Sequence, residues 1–463
     1  MYKICFFLLL AWLITGCKKF TDVNYDPNRP TTVSEKLLLA PIEYNITYNI
    51  ESSDPGFAGP YVQHWLQVIA FNQAIPNFGT YQQVPSDFNT LWSSIYSGGL
   101  ENLKLLNQTA EKNGNSNYAG IAKILTAYCM ATATDLYGDV PYTQSLKSSD
   151  EFHPAYDKQE DIYKAIQSLL DNGISDINKN GSLKPGGDDF FYTGDLNKWK
   201  RAAYTLKARY YMHLTKAPGY NATAQADLAL TALQNGFVAN TDDMKFPYLG
   251  GSGTESRWYN IMLPISTIVL ASTLVDTLKA RNDPRLPQLV SPAKTDGAYR
   301  GRQIGYVGPL PNLNSFSVVG NFYGNKTSPG YVLNYSEALF LKAEATLIKL
   351  GFAAAQPFYR DGIKSHMTKL GVTDTAAYLA SRGTLTAGNG LQRIMEEKSI
   401  ANFLSMENYN DWRRTGFPVI PLAPNAVLTE IPRRYLYPQS EVNTNPNPLQ
   451  SAKLTDRVWW DSK

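Results

Sequence analysis

Through most of this chain apolar residues recur at helical spacing, and that one period limits the possible folds more than any other feature. Residues 118–137 set Ile121, Leu125, Tyr128 and Thr132 on one stripe. Residues 159–177 align Ile162, Ile166, Leu169 or Leu170, and Ile174. A further helix is expected over 91–112. Asp195 can cap one that carries Trp199, Ala203, Leu206, Tyr210 and Leu214, because its carboxylate can accept the unpaired backbone N–H groups of a first turn. Residues 224–235 form another, closed by Gly236. The spacing also predicts helices over 335–350 and 358–370, stopping at Gly351 and Gly371, where a residue without Cβ can turn left-handed. A last long helix, 391–405, precedes Trp412.

These helices come in antiparallel pairs. The pair 335–350 and 358–370 joins through a seven-residue loop, and one such unit spans roughly the 34 residues of a tetratricopeptide repeat. Ala338, Ala343 and Ala345 let its helices approach closely. The period is not regular along the chain, so the repeat is degenerate. Long irregular segments separate the helices, at 51–90, 138–157, 180–195, 239–260, 282–333 and 414–463. The expected architecture is therefore mostly α. A tetratricopeptide-like helix-pair scaffold, one domain over 33–463, carries long irregular insertions and little β. The insertions at 51–90, 239–260 and 282–333 hold many aromatics and should form the working surface. The uncharged run 259–275 holds Asn260 and Pro264, is too short to span a bilayer, and is expected to be a buried helix.

The N-terminus constrains location. Lys3 gives a short positive region and Ile4 to Thr15 an apolar one, shorter than the about 20 residues a membrane span needs. It ends in Ile14-Thr15-Gly16-Cys17, which looks like a bacterial lipobox: an aliphatic residue, small residues, then the Cys whose sulfur takes the lipid. Residues 1–16 then form a lipoprotein signal peptide, Cys17 is the lipidation site, and 17–32 is a polar tether to the body. Several acyl chains on Cys17 anchor firmly where one alone is marginal. Cys5 leaves with the signal, so Cys129 is left as a buried core thiol with no disulfide partner.

Most catalytic classes lack a motif here. There is no HExxH, CxxC or GxSxG, and Gly250-Gly251-Ser252-Gly253 has no following Lys-Ser/Thr. No cofactor is expected. With 43 basic and 40 acidic residues the formal charge is +3, too small to attract nucleic acid. Asp135 and Asp139 are the best candidates for a glycosidase carboxylate pair, but Gly138 and Pro141 favour a helix end and a turn. Asp188 and Asp189 with Asp195 are a weak calcium candidate beside a solvated-loop reading; no other metal site is expected. Trp412-Arg413-Arg414 and Arg433-Arg434-Tyr435 read as structural elements, Arg holding carboxylates or carbonyls by its rigid fork.

Several blocks in order resemble the SusD/RagB family of nutrient-binding outer-membrane lipoproteins of Bacteroidetes. They are Cys17-Lys18-Lys19-Phe20 with Asp22, Leu91-Trp92-Ser93-Ser94-Ile95-Tyr96, Thr134-Asp135-Leu136-Tyr137-Gly138-Asp139-Val140-Pro141-Tyr142, and Gly194-Asp195 with Lys198-Trp199-Lys200. Then follow Asn282-Asp283-Pro284-Arg285-Leu286, Tyr335-Ser336-Glu337-Ala338, Asp411-Trp412-Arg413-Arg414-Thr415-Gly416, and Pro432-Arg433-Arg434-Tyr435-Leu436-Tyr437-Pro438 with Glu441. The resemblance implies a tetratricopeptide-like fold and a lipid-anchored, surface-exposed place on the outer membrane. It also implies a partner, a TonB-dependent β-barrel transporter (SusC-like), to which glycans or peptides are delivered by binding, without catalysis. The residues themselves agree. Thirty Tyr and eight Trp with low charge suit sugars, whose C–H faces stack on rings and whose hydroxyls need amides. Candidate ligand aromatics on the loops are Trp65, Phe78, Tyr81, Trp258, Tyr259, Phe322 and Tyr323. Two other classes stay open: a surface glycoside hydrolase, and a helical-repeat interaction scaffold without a small ligand.

Overall fold

The computed structural model describes residues 33–51, 58–71, 79–147, 151–262, 268–306 and 311–462. The signal segment, Cys17, the tether and Phe78 lie outside the described residues. The principal helices are α1 Glu35–Asn45, α2 Glu101–Lys112, α3 Ser116–Tyr137, α4 Gln159–Asn178, α5 Leu196–His213, α6 Ala222–Leu233, α7 Tyr335–Leu350, α8 Phe352–Lys369, α9 Gly390–Ala401 and α10 Glu407–Thr415. From α2 to α8 each packs on the one before and the one after, which is how a solenoid of helix pairs buries faces that no single helix could bury alone. The chain is mostly α, as its period requires.

Local chemistry sets the helix ends. Asp195 caps α5, its carboxylate accepting from the N–H groups of Asn197 and Lys198. Asn221 and Asn334 cap α6 and α7 in the same way. The pair α3 and α4 crosses at Gly120 and Gly173, where a Cβ on Gly120 would sit 2.6 Å from the Gly173 carbonyl oxygen. Cys129 is buried in α3, and burial pushes its thiol pKa up, as expected of an inert core thiol.

Three expectations need correction. The seven-residue loop between 350 and 358 does not exist: Gly351, at φ 86°, reverses the chain by itself and α8 begins at Phe352. Pro357 lies inside α8, at the cost of one backbone hydrogen bond, while Tyr359 and Ile363 pack fully buried in the core cluster with Phe340. The helix expected over 91–112 is three pieces, Asn89–Ser93, a π-helical stretch Ser94–Leu100, and α2. Gly98 lies in the π stretch, tight against the Asn45 side chain, with 2.8 Å left for a Cβ. Residues 259–275 are not one helix. Arg257–Ile261 is helical, Ile268–Leu270 is a strand, and helix Ser272–Ala280 follows. β-Branched Ile268 and Val269 favour the extended state once a strand partner is at hand.

The insertions are not structureless either. The first contains helix Ala58–Trp65 and β1 Ile69–Phe71. The others supply β2 Met244–Phe246, β4 Val290–Ser291, β5 Val318–Val319 and β6 Gly330–Leu333, with Ile268–Leu270 as β3. They form three two-stranded antiparallel sheets, β1–β3, β2–β6 and β4–β5. Segments far apart in sequence are therefore knitted to one another. Arg285, fully buried, fastens 282–333 to the solenoid: its guanidinium donates to Asp283, to Tyr378 and to Glu397 of α9.

Candidate functional site

Two insertions and one inter-helix link close a recessed pocket of about 480 Å³, counted out to its mouth. Trp258 comes from helix Arg257–Ile261, Tyr323 from a helical turn at Asn321–Gly324, and Tyr331 from β6. Phe403, Leu404 and Ser405 come from the link between α9 and α10, and Glu51 from the π-helical extension Ile46–Glu51 beyond α1. The β2–β6 ladder fixes β6, and the Ser256 N–H donates to the Lys326 carbonyl at 2.8 Å, so the two insertions hold each other in register.

The rings form a continuous wall. Tyr323 lies edge-on to Tyr331 at 5.9 Å and to Phe403 at 5.4 Å, and Phe322 stacks on Tyr331 at 6.3 Å. The wall continues outward, because Gly330 lies against Thr47 and the Tyr248 ring. Half-buried Tyr44 and Tyr48 stack there at 4.9 Å, with the Arg257 guanidinium 5.0 Å over the Tyr48 ring. Polar groups are few and fixed. Asn334 Nδ2 donates to Asn402 Oδ1 at 2.9 Å, while the buried Asn402 Nδ2 has no partner among the described residues. Ser405 donates to Glu51 at 2.8 Å, and Tyr128 donates to the other Glu51 oxygen. Burial raises the Glu51 pKa, against these donors. Lys369 sits 4.8 Å over the Tyr331 ring and 2.8 Å from Asp243, and burial lowers its pKa. Leu404 is held at φ 68°, a conformation costly for a branched side chain. Such strain, like π-helical turns, gathers at working sites.

The expected loop aromatics divide. Trp258 and Tyr323 line this pocket, each 7% exposed. Half-buried Phe322 backs it through Tyr331, and half-buried Tyr259 is on the same short helix as Trp258. Trp65 and Tyr81 are core residues, 0% and 1% exposed, with no ring face open for stacking. The cause is the helix Ala58–Trp65, which lays Trp65 on Tyr409 of α10 and on Tyr435, at 5.6 and 5.3 Å. Sequence reasoning missed Tyr331, Asn334, Asn402 and Phe403. It ran the helix of α9 on to 405, so the left-handed Leu404 that swings Asn402 and Phe403 to the pocket had no signal.

The carboxylate candidates have structural work. Asp135 is buried and accepts from Tyr163, Asn410 and the Trp460 indole. Asp139 accepts from the Gln159 N–H at the start of α4 and from Lys158. For calcium, Asp189 is occupied by the N–H groups of Tyr192 and Gly194 and the Trp199 indole, and Asp195 by the α5 cap. Asp188 accepts from Tyr118 and from the Gly186 N–H. Among the described residues no group of three His, Cys, Asp or Glu is placed to hold a metal. Arg414 grips Glu344 and Asp411, Arg433 grips Asp461, and Arg413 lies between the Tyr409 and Trp460 rings, as the fork chemistry suggested.

Residues 27–438 match a family model described as SusD-like, starch-binding associating with outer membrane. A chitin-binding protein of known structure is 25% identical, with a TM-score of 0.79 over 93% of this chain and 100% of that one. A chitin-binding SusD homologue from Flavobacterium johnsoniae superposes at 0.82 with 23% identity, over 92% and 98% of the two chains. A SusD/RagB family protein from Bacteroides thetaiotaomicron superposes at 0.78 with 24% identity, over 93% and 99%. The last two speak for the fold alone. No curated protein matches.

Proposed function

The chain belongs to the SusD-like family, and on that premise we propose that it binds a glycan at the outer membrane and hands it to a TonB-dependent β-barrel transporter. Cys17 carries the lipid anchor, and the helical body stands at the cell surface. The glycan enters the pocket walled by Trp258, Tyr323 and Tyr331. The observation that carries this placement is that rings from two separate insertions converge with an unpartnered buried amide, Asn402 Nδ2. A sugar ring offers C–H groups to the aromatic wall and a hydroxyl oxygen to the amide. The one carboxylate at the wall among the described residues, Glu51, is held by Tyr128 and Ser405, an arrangement that supports binding rather than paired acid–base hydrolysis.

Calorimetry with maltoheptaose and chitohexaose tests this. One of the two should bind the wild-type chain. Tyr331→Ala, at a half-buried position, should weaken that binding about tenfold, the loss of one stacked ring. Trp258→Ala should do the same, at some additional cost in stability. Binding of neither probe, or unchanged binding to Tyr331→Ala and Trp258→Ala alike, would sink the placement.

A further inference from the structure

A second and larger cleft, about 1210 Å³ out to its mouth, lies between the α3–α4 connection and the C-terminal segment. Its lining differs in kind from that of the aromatic pocket. Lys158, Arg434 and Arg457 face it against one lining carboxylate among the described residues, Asp139. Asp139 is already engaged by Lys158 at 2.7 Å and by the Gln159 N–H. Arg457 pairs with Asp461, which Arg433 also grips. Behind the wall, Glu441 accepts from Tyr156 and Asn445.

Arg434 is the unusual member. It is 6% exposed, yet no carboxylate among the described residues lies within ion-pair distance of it. Its Nε donates to the Tyr435 carbonyl and its Nη2 to the Tyr137 carbonyl, and the guanidinium lies 4.8 Å over the Tyr437 ring. The guanidinium also hydrogen-bonds the Tyr437 side chain, and a Cβ on Gly138 would sit 3.7 Å from Nη1. Gly138 stands at φ 83°, so the turn after α3 demands glycine, and Gly138 and Arg434 both line the cleft. A buried cation held by neutral carbonyls is stabilised by an anion, and a planar fork suits a carboxylate best. The other walls suit a saccharide. Trp459 and Tyr156 are half-buried rings, and the amides of Asn447 and Gln450 are exposed at the rim.

We infer that this cleft is a second saccharide site, selective for acidic sugars, in which Arg434 receives a uronate carboxylate and Lys158 and Arg457 supply the surrounding positive field. The site is separate from the aromatic pocket, so it stands or falls apart from the neutral-glycan reading. The probe is an oligogalacturonide, against its fully methyl-esterified form, which has the same ring without the charge. Wild-type protein should bind the acid at least tenfold tighter than the ester, with affinity falling as salt rises. Lys158→Gln with Arg457→Gln, both clear of the buried core, should remove most of that preference. The same double variant should leave binding of maltoheptaose or chitohexaose unchanged. Equal binding of acid and ester overturns the inference, as does an unaltered preference in the double variant. Tight binding of a tetraglutamate peptide in place of the oligogalacturonide would also overturn it, since the cleft would then be a peptide site.

Discussion

His213 shows how far a single residue departs from its solution chemistry. It is 1% exposed, with Nε2 2.8 Å from Glu407 and Nδ1 2.8 Å from the Tyr163 hydroxyl, which also donates to Asp135. Burial alone would neutralise the ring, but the Glu407 and Asp135 carboxylates outweigh it and lift the pKa from 6.5 to about 9. Because the folded value lies above the unfolded one, the charged ring contributes full stability below pH 6.5, and that contribution drains away as pH rises toward 9. The gap corresponds to about 3 kcal/mol. His64 runs the other way, lowered to about 3 by burial, so it costs stability below pH 6.5. Urea unfolding should therefore show a maximum near neutral pH and a loss from there to pH 9.5. His213→Gln should flatten the alkaline limb. A variant that keeps the wild-type alkaline slope would contradict the assignment. None of this was legible in a sequence with four scattered His, because the partners come from α3, α4 and α10.

Among the helices, legibility followed burial. The α3, α4, α5 and α7 helices were readable because their inner faces and caps are written in local residue types. The α7–α8 turn was not, since Pro357 signals a break that buried neighbours override. Nor were the π-helical stretches, where an extra residue per turn serves a contact across the fold. The crossing of α3 and α4 rests on two glycines whose purpose is equally nonlocal. Gly120→Ala should gain up to about 1 kcal/mol of helix propensity. It should lose more to the clash with the Gly173 carbonyl and Ile177, where overpacking costs typically 1–3 kcal/mol. A net destabilisation of about 1–2 kcal/mol in chemical denaturation is expected, and a stabilised variant would mean that the helices separate freely.

For the molecule as a whole, the proposed function rests on the N-terminal run for location and on the insertions for recognition. Cys17→Ala should shift the protein from the outer-membrane fraction to the soluble one, and unchanged partition after cell fractionation would refute the lipid anchor. The sequence by itself determined the helical scaffold and the family, because periodicity, caps and ordered motifs are local properties of the chain. It also named Trp258 and Tyr323, which the structure brings to one pocket. Only the tertiary structure decided that Trp65 and Tyr81 are core while Tyr331 and Asn402 face the pocket. It alone set Arg434 at a cleft with no carboxylate among the described residues within ion-pair distance of it. Those outcomes depend on which distant segments pair, β1 with β3 and β2 with β6, and on what those pairings bury. An aromatic or an arginine looks the same in sequence whether its neighbours in space close over it or leave one face open.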